Sequence, residues 1–300
     1  MKAINDTTAQ SYPKTQKRSS LSGREIKNKL FKSLFIGATA FSLLVLLVLL
    51  VQIFTQGIPY LNWNFFTSFP SRHAEEAGIL SAFVGTIWMM AVTAPVSFVL
   101  GVGTAIYLEE YAKKNRFTQL IQMNISNLAG VPSIVFGLLG LTIFVRELAL
   151  GRSVLAGGLT MSLLILPIIV VAAQEAIRAV PGELKEASFA MGATKWQTTY
   201  RIVLPAALPG ILTGNILALS RAIGETAPLI MIGALTYVAF LPEGLLSQFT
   251  VMPIQIYNWT GRPQEEFHFV AAAGIMVLLV MLLLMNSVAV WIRNKFQKRF

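Results

Sequence analysis

Residues 154–205 read VLAGGLTMSLLILPIIVVAA followed by QEAIRAVPGELKEASFAMGATKWQTTYRIVLP. The first 20 residues carry no charge, and a helix of about 20 apolar residues crosses the hydrocarbon core of a bilayer. The next 32 residues are polar and charged, and they end at Pro205, where a new apolar run begins. The chain therefore leaves a membrane, folds something outside it, and returns.

Working outward, six segments are long and apolar enough to span: Leu34–Phe54, Ile79–Leu108, Ile121–Val145, Val154–Ala173, Ala206–Thr236 and Phe269–Ile292. Composition agrees. Only 13% of the 300 residues are charged, about half the ~25% of a soluble domain, which excludes a soluble enzyme and a disordered chain. There is no cysteine, so disulfides, thiolate metal sites and cysteine nucleophiles are excluded. His73 and His268, the two histidines, lie far apart in outer loops and suggest no metal site.

Cytoplasmic loops collect Lys and Arg. With the N-terminus inside, 19 basic residues fall on the inner side and four, Arg72, Arg146, Arg152 and Arg262, on the outer side. Both termini are expected in the cytoplasm. The net charge of +10 is thus a topology signal and calls for no nucleic acid. Residues 1–33 form a basic tail expected to be disordered, its last cations resting on membrane lipid, and 293–300 form a second basic tail. Residues 34–78 hold the first span and an outer segment whose Tyr60, Trp63, Phe65, Phe66 and Phe69 suggest an interfacial aromatic belt.

Within 174–205, Pro181 favours a helix start. Glu183 and Glu186 suit its N-terminal dipole, and Leu184, Ala187, Ser188 and Met191 share one helical face. Gly192 suits a left-handed stop, and Thr194 a cap for a second helix running to Pro205. By periodicity alone this helix–bend–helix equally suits a surface helix on lipid or a docking knob for a cytoplasmic partner.

The residues also carry a resemblance. Glu186-Ala187-Ser188, three residues, Gly192, nine residues, Ile202-Val203-Leu204-Pro205 resembles the E-A-A-x3-G-x9-I-x-L-P loop of ABC-importer permeases, with Ser188 in place of the second alanine. It implies a coupling loop that inserts into a groove on an ATPase subunit, with Glu186, Ala187, Ser188, Gly192, Ile202, Leu204 and Pro205 as the coupling residues. The likeness extends over 79–292, where Leu100–Glu109 resembles the end of the first core helix of such permeases. The stretches 130–137 (GVPSIVFG) and 220–229 (SRAIGETAPL) resemble the phosphate branch, and Ala227-Pro228-Leu229 with 253–259 (PIQIYNW) resembles its PstA-type subunit. The resemblance implies an all-α, six-span protein with a MetI-like permease core. Its implied partners are a PstC-type sister permease, two copies of an ABC ATPase carrying ATP and Mg, and an extracytoplasmic phosphate-binding protein at outer segments 55–78 and 237–268.

Independently of any family, the fifth segment holds the only two charges within a predicted span, Arg221 and Glu225. A lone Arg at mid-depth costs at least ~2.5–3.5 kcal/mol, and Glu225 at i+4 is placed to neutralise it. The pair suits a structural ion pair, or a translocation path in which the planar guanidinium meets an oxyanion and Glu225 holds or releases it. Pro132, Pro167 and Pro228 interrupt spans, and Gly210/Gly214 and Ser220/Gly224 are small pairs suited to close helix contact.

No GxxxxGK[ST] motif occurs, so any ATP energy is expected from another polypeptide, with no cofactor in this chain. No catalytic or metal-ligand constellation stands out. The expected function is the membrane subunit of an ATP-driven phosphate importer. The alternatives are another oxyanion (phosphonate, sulfate, molybdate), a passive anion channel with Arg221 as its selectivity charge, or a scaffold or sensor without flux.

Overall fold

The computed structural model describes residues 19–234 and 237–296. The fold is all-α. By length and composition five helices can cross a membrane, or six if one bent pair counts as a span. The chain divides into two compact units, residues 1–52 and 53–300.

Helix α1 runs over Ser19–Gly57. It begins well before the expected span, so the expected disorder does not extend over residues 19–33; residues 1–18 lie outside the described part. Residues 24–33 contain neither Pro nor Gly and include Lys and Leu, good helix formers that extend a helix already nucleated by its apolar stretch.

The second unit is built around α3 (Leu80–Ile106) and α6 (Val154–Arg178). In lipid, helices are held by close packing and hydrogen bonds, which small residues permit. Gly158 of α6 lies so close to α3 that a Cβ there would sit 2.6 Å from the Val92 Cβ. The Thr93 hydroxyl donates to the Gly158 carbonyl at 3.2 Å, and the Ser162 hydroxyl lies 3.3 Å from the Thr93 carbonyl. Pro95 and Pro167 sit inside these helices without ending them. At its N-terminal end α6 gains partners for free N–H groups: Val154 and Leu155 donate to the carbonyls of Ser247 and Leu245 at 3.0 and 2.8 Å.

A second cluster is formed by α2 (Trp63–Thr67) and α11 (Met252–Thr260), which pack with α12 (Glu266–Phe296). Here Phe65 is 3% exposed and packs against Trp259 at 6.0 Å, so it belongs to the core and not to the expected aromatic belt, whereas Trp63 is exposed. His73 is exposed in a loop, as expected; His268 is exposed too, but it lies in the first turn of α12 rather than in a loop.

Two expected single spans are broken. Segment 121–145 is α4 (Arg116–Leu128) and then α5 (Ser133–Gly140), which continues as a π-helical turn to Glu147; the two halves meet at 104°. Pro132 supplies no N–H and disfavours helix at Val131, which places the break there. Segment 206–236 is α9 (Leu204–Gly224) and then α10 (Ala227–Ile232), separated by Glu225 and Thr226; Thr236 lies outside the described residues. The fourth span continues to Arg178, so Gln174 is buried in α6 rather than starting a loop.

Candidate translocation site and coupling module

The loop after α6 folds as anticipated in kind. Pro181 immediately precedes α7 (Gly182–Ala190), and Gly192 stops it at φ +81°. The Gly192 and Ala193 amides donate to the carbonyls of Phe189 and Ser188 at 2.9 and 3.2 Å, so the helix end is hydrogen-bonded rather than frayed. Thr194 caps α8 (Lys195–Thr198) in a reciprocal capping box with Gln197. A π-helical turn, Thr199–Val203, carries α8 into α9 without interruption.

The inward face differs from the expected one. Leu184, Lys185 and Ser188 are half-buried, whereas Ala187 is exposed and Met191 is 88% exposed. The reason is the helix length: α7 ends at Ala190, so Met191 belongs to the bend rather than to the stripe. The Ser188 and Thr198 hydroxyls lie 2.9 Å apart and tie α7 to α8. Outward, Glu186 and Phe189 are exposed, and Trp196 stacks on Tyr200 with ring centroids 6.0 Å apart. Ile202, Leu204 and Pro205 are half-buried where the chain re-enters the bundle. Large apolar side chains presented beside a carboxylate suit a protein partner better than water.

Helix α9 packs on α6 through the anticipated glycine pair. Gly210 faces Ala176, where a Cβ would lie 2.8 Å from the Ala176 Cβ, and Gly214 abuts Ala172. Of the second small pair, only Ser220 makes a helix contact. Nothing lies within 4 Å of a Cβ at Gly224, which ends the helix, while the Ser220 hydroxyl reaches Asn286 Oδ1 of α12 at 2.5 Å. Asn286 and Thr213, whose hydroxyl lies 3.3 Å from Arg293 Nη1, join α9 to α12. Neither stood out in the sequence, because a single amide or hydroxyl barely lowers the hydropathy of a long apolar run.

Arg221 and Glu225 come together, but not on one helical face. Arg221 lies in the last turn of α9, where a cation opposes the negative end of the dipole, and Glu225 is the first residue past the helix with ψ 133°. Arg221 Nε stands 3.6 Å from Glu225 Oε1. That is an ion pair but too long for a good hydrogen bond. The Arg221 side chain is 49% exposed and Glu225 20%, and among the described residues the guanidinium makes no hydrogen bond. Among the described residues, its two terminal amino groups are left without an acceptor.

Beyond Glu225, α10 meets α5, so the two broken spans touch. The stretches 130–137 and 220–229 therefore belong to one region: Gly137 lies against Pro228 and Met231. Gly233 ends α10 at φ +82°, with the Arg152 side chain against it.

Broken spans beside a half-exposed cation at the end of a helix, with a capped helical module on one face, suit a transport subunit. Residues 97–299 match the family described as binding-protein-dependent transport system inner membrane component, and the chain belongs to that family. It is a multi-pass membrane transport component and not an enzyme.

Among its relatives is the probable ABC transporter permease protein YqgI of Bacillus subtilis, 31% identical, the alignment covering 92% of this chain and 98% of that protein. The phosphate transport system permease protein PstA 1 of Mycobacterium tuberculosis is 32% identical over 90% of each chain. PstA of Haemophilus influenzae is 31% identical over 88% of this chain and 92% of its own. Among solved structures, a bacterial ABC transporter involved in import of the acidic polysaccharide alginate superposes with a TM-score of 0.62 at 15% identity, covering 93% of this chain and 100% of that one. An inward-facing MetNI methionine ABC transporter gives 0.59 at 18% identity, covering 71% and 94%. These structural likenesses carry the fold.

Proposed function

We propose that this chain is the permease subunit through which an ATP-driven importer moves inorganic phosphate into the cell. The observation that carries the substrate is full-length similarity to proteins named as phosphate transport permeases, at 31–32% identity over about nine-tenths of the chain. The half-exposed Arg221 supports it, because a guanidinium with free donors offers an oxyanion paired hydrogen bonds. In this reading Arg221 contacts phosphate in the path. Glu225 competes for the same cation, so that the anion is held transiently rather than trapped.

ATP and Mg belong to a separate ATPase present in two copies, one of which docks on the α7–α8 module. Glu186, Ala187, Phe189, Met191 and Trp196 meet the ATPase, and Gly192 sets the bend between the helices. A PstC-type sister permease completes the membrane pair, and an extracytoplasmic phosphate-binding protein delivers cargo to the outer segments. Both termini are cytoplasmic, as the bias of 19 basic residues inside to four outside supports.

The test is labelled phosphate uptake at low external phosphate in cells lacking this chain and in cells with it restored, with unlabelled sulfate as competitor. Restored uptake insensitive to sulfate is expected. Unchanged uptake on removal, with no other phosphate importer active, would reject phosphate as the cargo.

A further inference from the structure

Helix α3 ends in a π-helical turn, Tyr107–Tyr111 (YLEEY), whose two adjacent carboxylates point to different elements. Glu109 Oε1 accepts from Arg178 Nη2 at 2.6 Å and from Gln174 Nε2 at 2.9 Å, both on the last turns of α6. Glu110 Oε1 accepts from Lys185 Nζ at 2.6 Å, and Lys185 lies on α7. One residue further, the Tyr111 ring lies 5.2 Å from Lys195 Nζ at the start of α8. A single turn thus touches α6, α7 and α8.

Burial separates the Glu110–Lys185 pair from ordinary surface ion pairs: the Glu110 side chain is 11% exposed and Lys185 26%, whereas in the second pair Glu109 is 14% exposed but Arg178 47%. Water screens the Glu110–Lys185 pair little, so it resists displacement more than an exposed one. The local helix geometry contributes as well. In a π-helical turn the extra residue shifts the side-chain phase relative to the α-helix before it, which lets neighbouring residues reach elements on different sides.

The module is joined covalently to α6 through residues 179–181, and to α9, which carries Arg221, through α8 and the π-helical turn 199–203. It has no covalent link to α3. Yet α3 and α6 form the central packed pair, with Thr93, Gly158 and Ser162 bonded across it.

We infer that Glu110–Lys185, assisted by Glu109–Arg178, is a strut through which the coupling helix holds the inner end of α3 in step with α6 and α9. Glu110 and Lys185 are positioning residues: they touch neither cargo nor nucleotide, and act by making α7 and the inner end of α3 one rigid body. The inference rests on α7–α8 being the ATPase dock.

The test uses the full importer reconstituted in proteoliposomes, with Lys185→Glu, Glu110→Lys and the double swap. Readouts are ATPase co-purification, basal ATP hydrolysis, its stimulation by loaded binding protein, and phosphate uptake. Each single reversal is expected to keep the ATPase bound and basal hydrolysis intact while lowering uptake and stimulation at least tenfold. The double swap is expected to recover most of both. Single reversals within twofold of the unmodified protein, or a swap that recovers nothing while the complex assembles, overturn the strut. If the reversals do not assemble, Lys185→Gln and Glu110→Gln keep size without charge and are judged by the same tenfold and twofold limits.

A cargo-independent arm exploits the lack of native cysteine. Spin labels at the exposed Val99 and Glu183 are expected to keep their separation on ATP–vanadate trapping, and to change it in Lys185→Glu. A separation that changes equally in both overturns the strut. No phosphate uptake by the unmodified importer would instead reject the phosphate reading and leave this arm standing.

Discussion

A Cβ on Gly137 would lie 2.7 Å from the Cα of Pro228 and 2.8 Å from the Cβ of Met231. Two residues 91 positions apart are thus pressed backbone to backbone where the two broken spans meet. Nothing in that contact is a flexible side-chain tip, so any larger residue at 137 must push α5 and α10 apart.

Gly137→Val is therefore expected to destabilise the protein by about 1–3 kcal/mol, the usual range for overpacking a tight interior. The measurement is the thermal midpoint of the purified protein in detergent. A midpoint equal to that of the unmodified protein would mean that α5 and α10 separate at no cost.

The small residues of α9 offer an internal control. Gly214 abuts Ala172, whereas nothing lies within 4 Å of a Cβ at Gly224. Gly214→Val is expected to cost about 1–3 kcal/mol, while Gly224→Ala stays within about 0.5 kcal/mol of the unmodified protein. Thermal unfolding of both variants side by side checks the order. Equal losses would contradict the packing assigned to α6 and α9.

Gly192 tests the bend. Its φ of +81° suits glycine, and a Cβ there meets nothing within 4 Å, so the penalty for a side chain is conformational and not steric. Gly192→Ala is expected to cost about 1–2 kcal/mol of local stability. Gly192→Asn should cost less, since Asn tolerates the left-handed region. Because the bend sits in the module and not in the core, the effect should appear in ATPase co-purification more than in the global melting midpoint. Equal co-purification by both variants would separate the bend from docking.

Arg221 and Glu225 distinguish a path from a brace. A purely structural pair can be replaced by apolar residues of similar size with little loss or even a gain. Arg221→Met with Glu225→Met is thus expected to leave assembly intact but abolish phosphate uptake, and Arg221→Lys to lower uptake about tenfold through loss of the planar donor fork. Normal uptake by the double variant would reassign the pair to helix packing.

Much of this protein is written in one dimension. Span number, charge asymmetry and the helix–bend–helix of 182–205 follow from the run length of apolar residues, the placement of Lys and Arg, and capping residues within a few positions of one another. Gly210 and Gly214 were legible too, because a small-residue pair at i, i+4 makes a flat patch whatever its partner.

Proline marks where that reading stops. Pro95, Pro167 and Pro209 sit within continuous helices, while Pro132 and Pro228 stand at the starts of new ones. The residue is the same, and its lost hydrogen bond is tolerated or turned into a break according to what packs around it. Arg221 illustrates the consequence, since the break after Gly224 moved it from the middle of an expected span to the end of a helix.

Local pattern alone makes the chain a multi-span membrane protein with a structured loop between two of its spans, because hydropathy and caps act over short distances along the chain. That Glu110 meets Lys185 and that Gly137 meets Pro228 is settled in three dimensions. Those pairs are separated by 75 and 91 residues, and no local preference chooses between one distant partner and another; the packing of α3, α6 and the broken spans does.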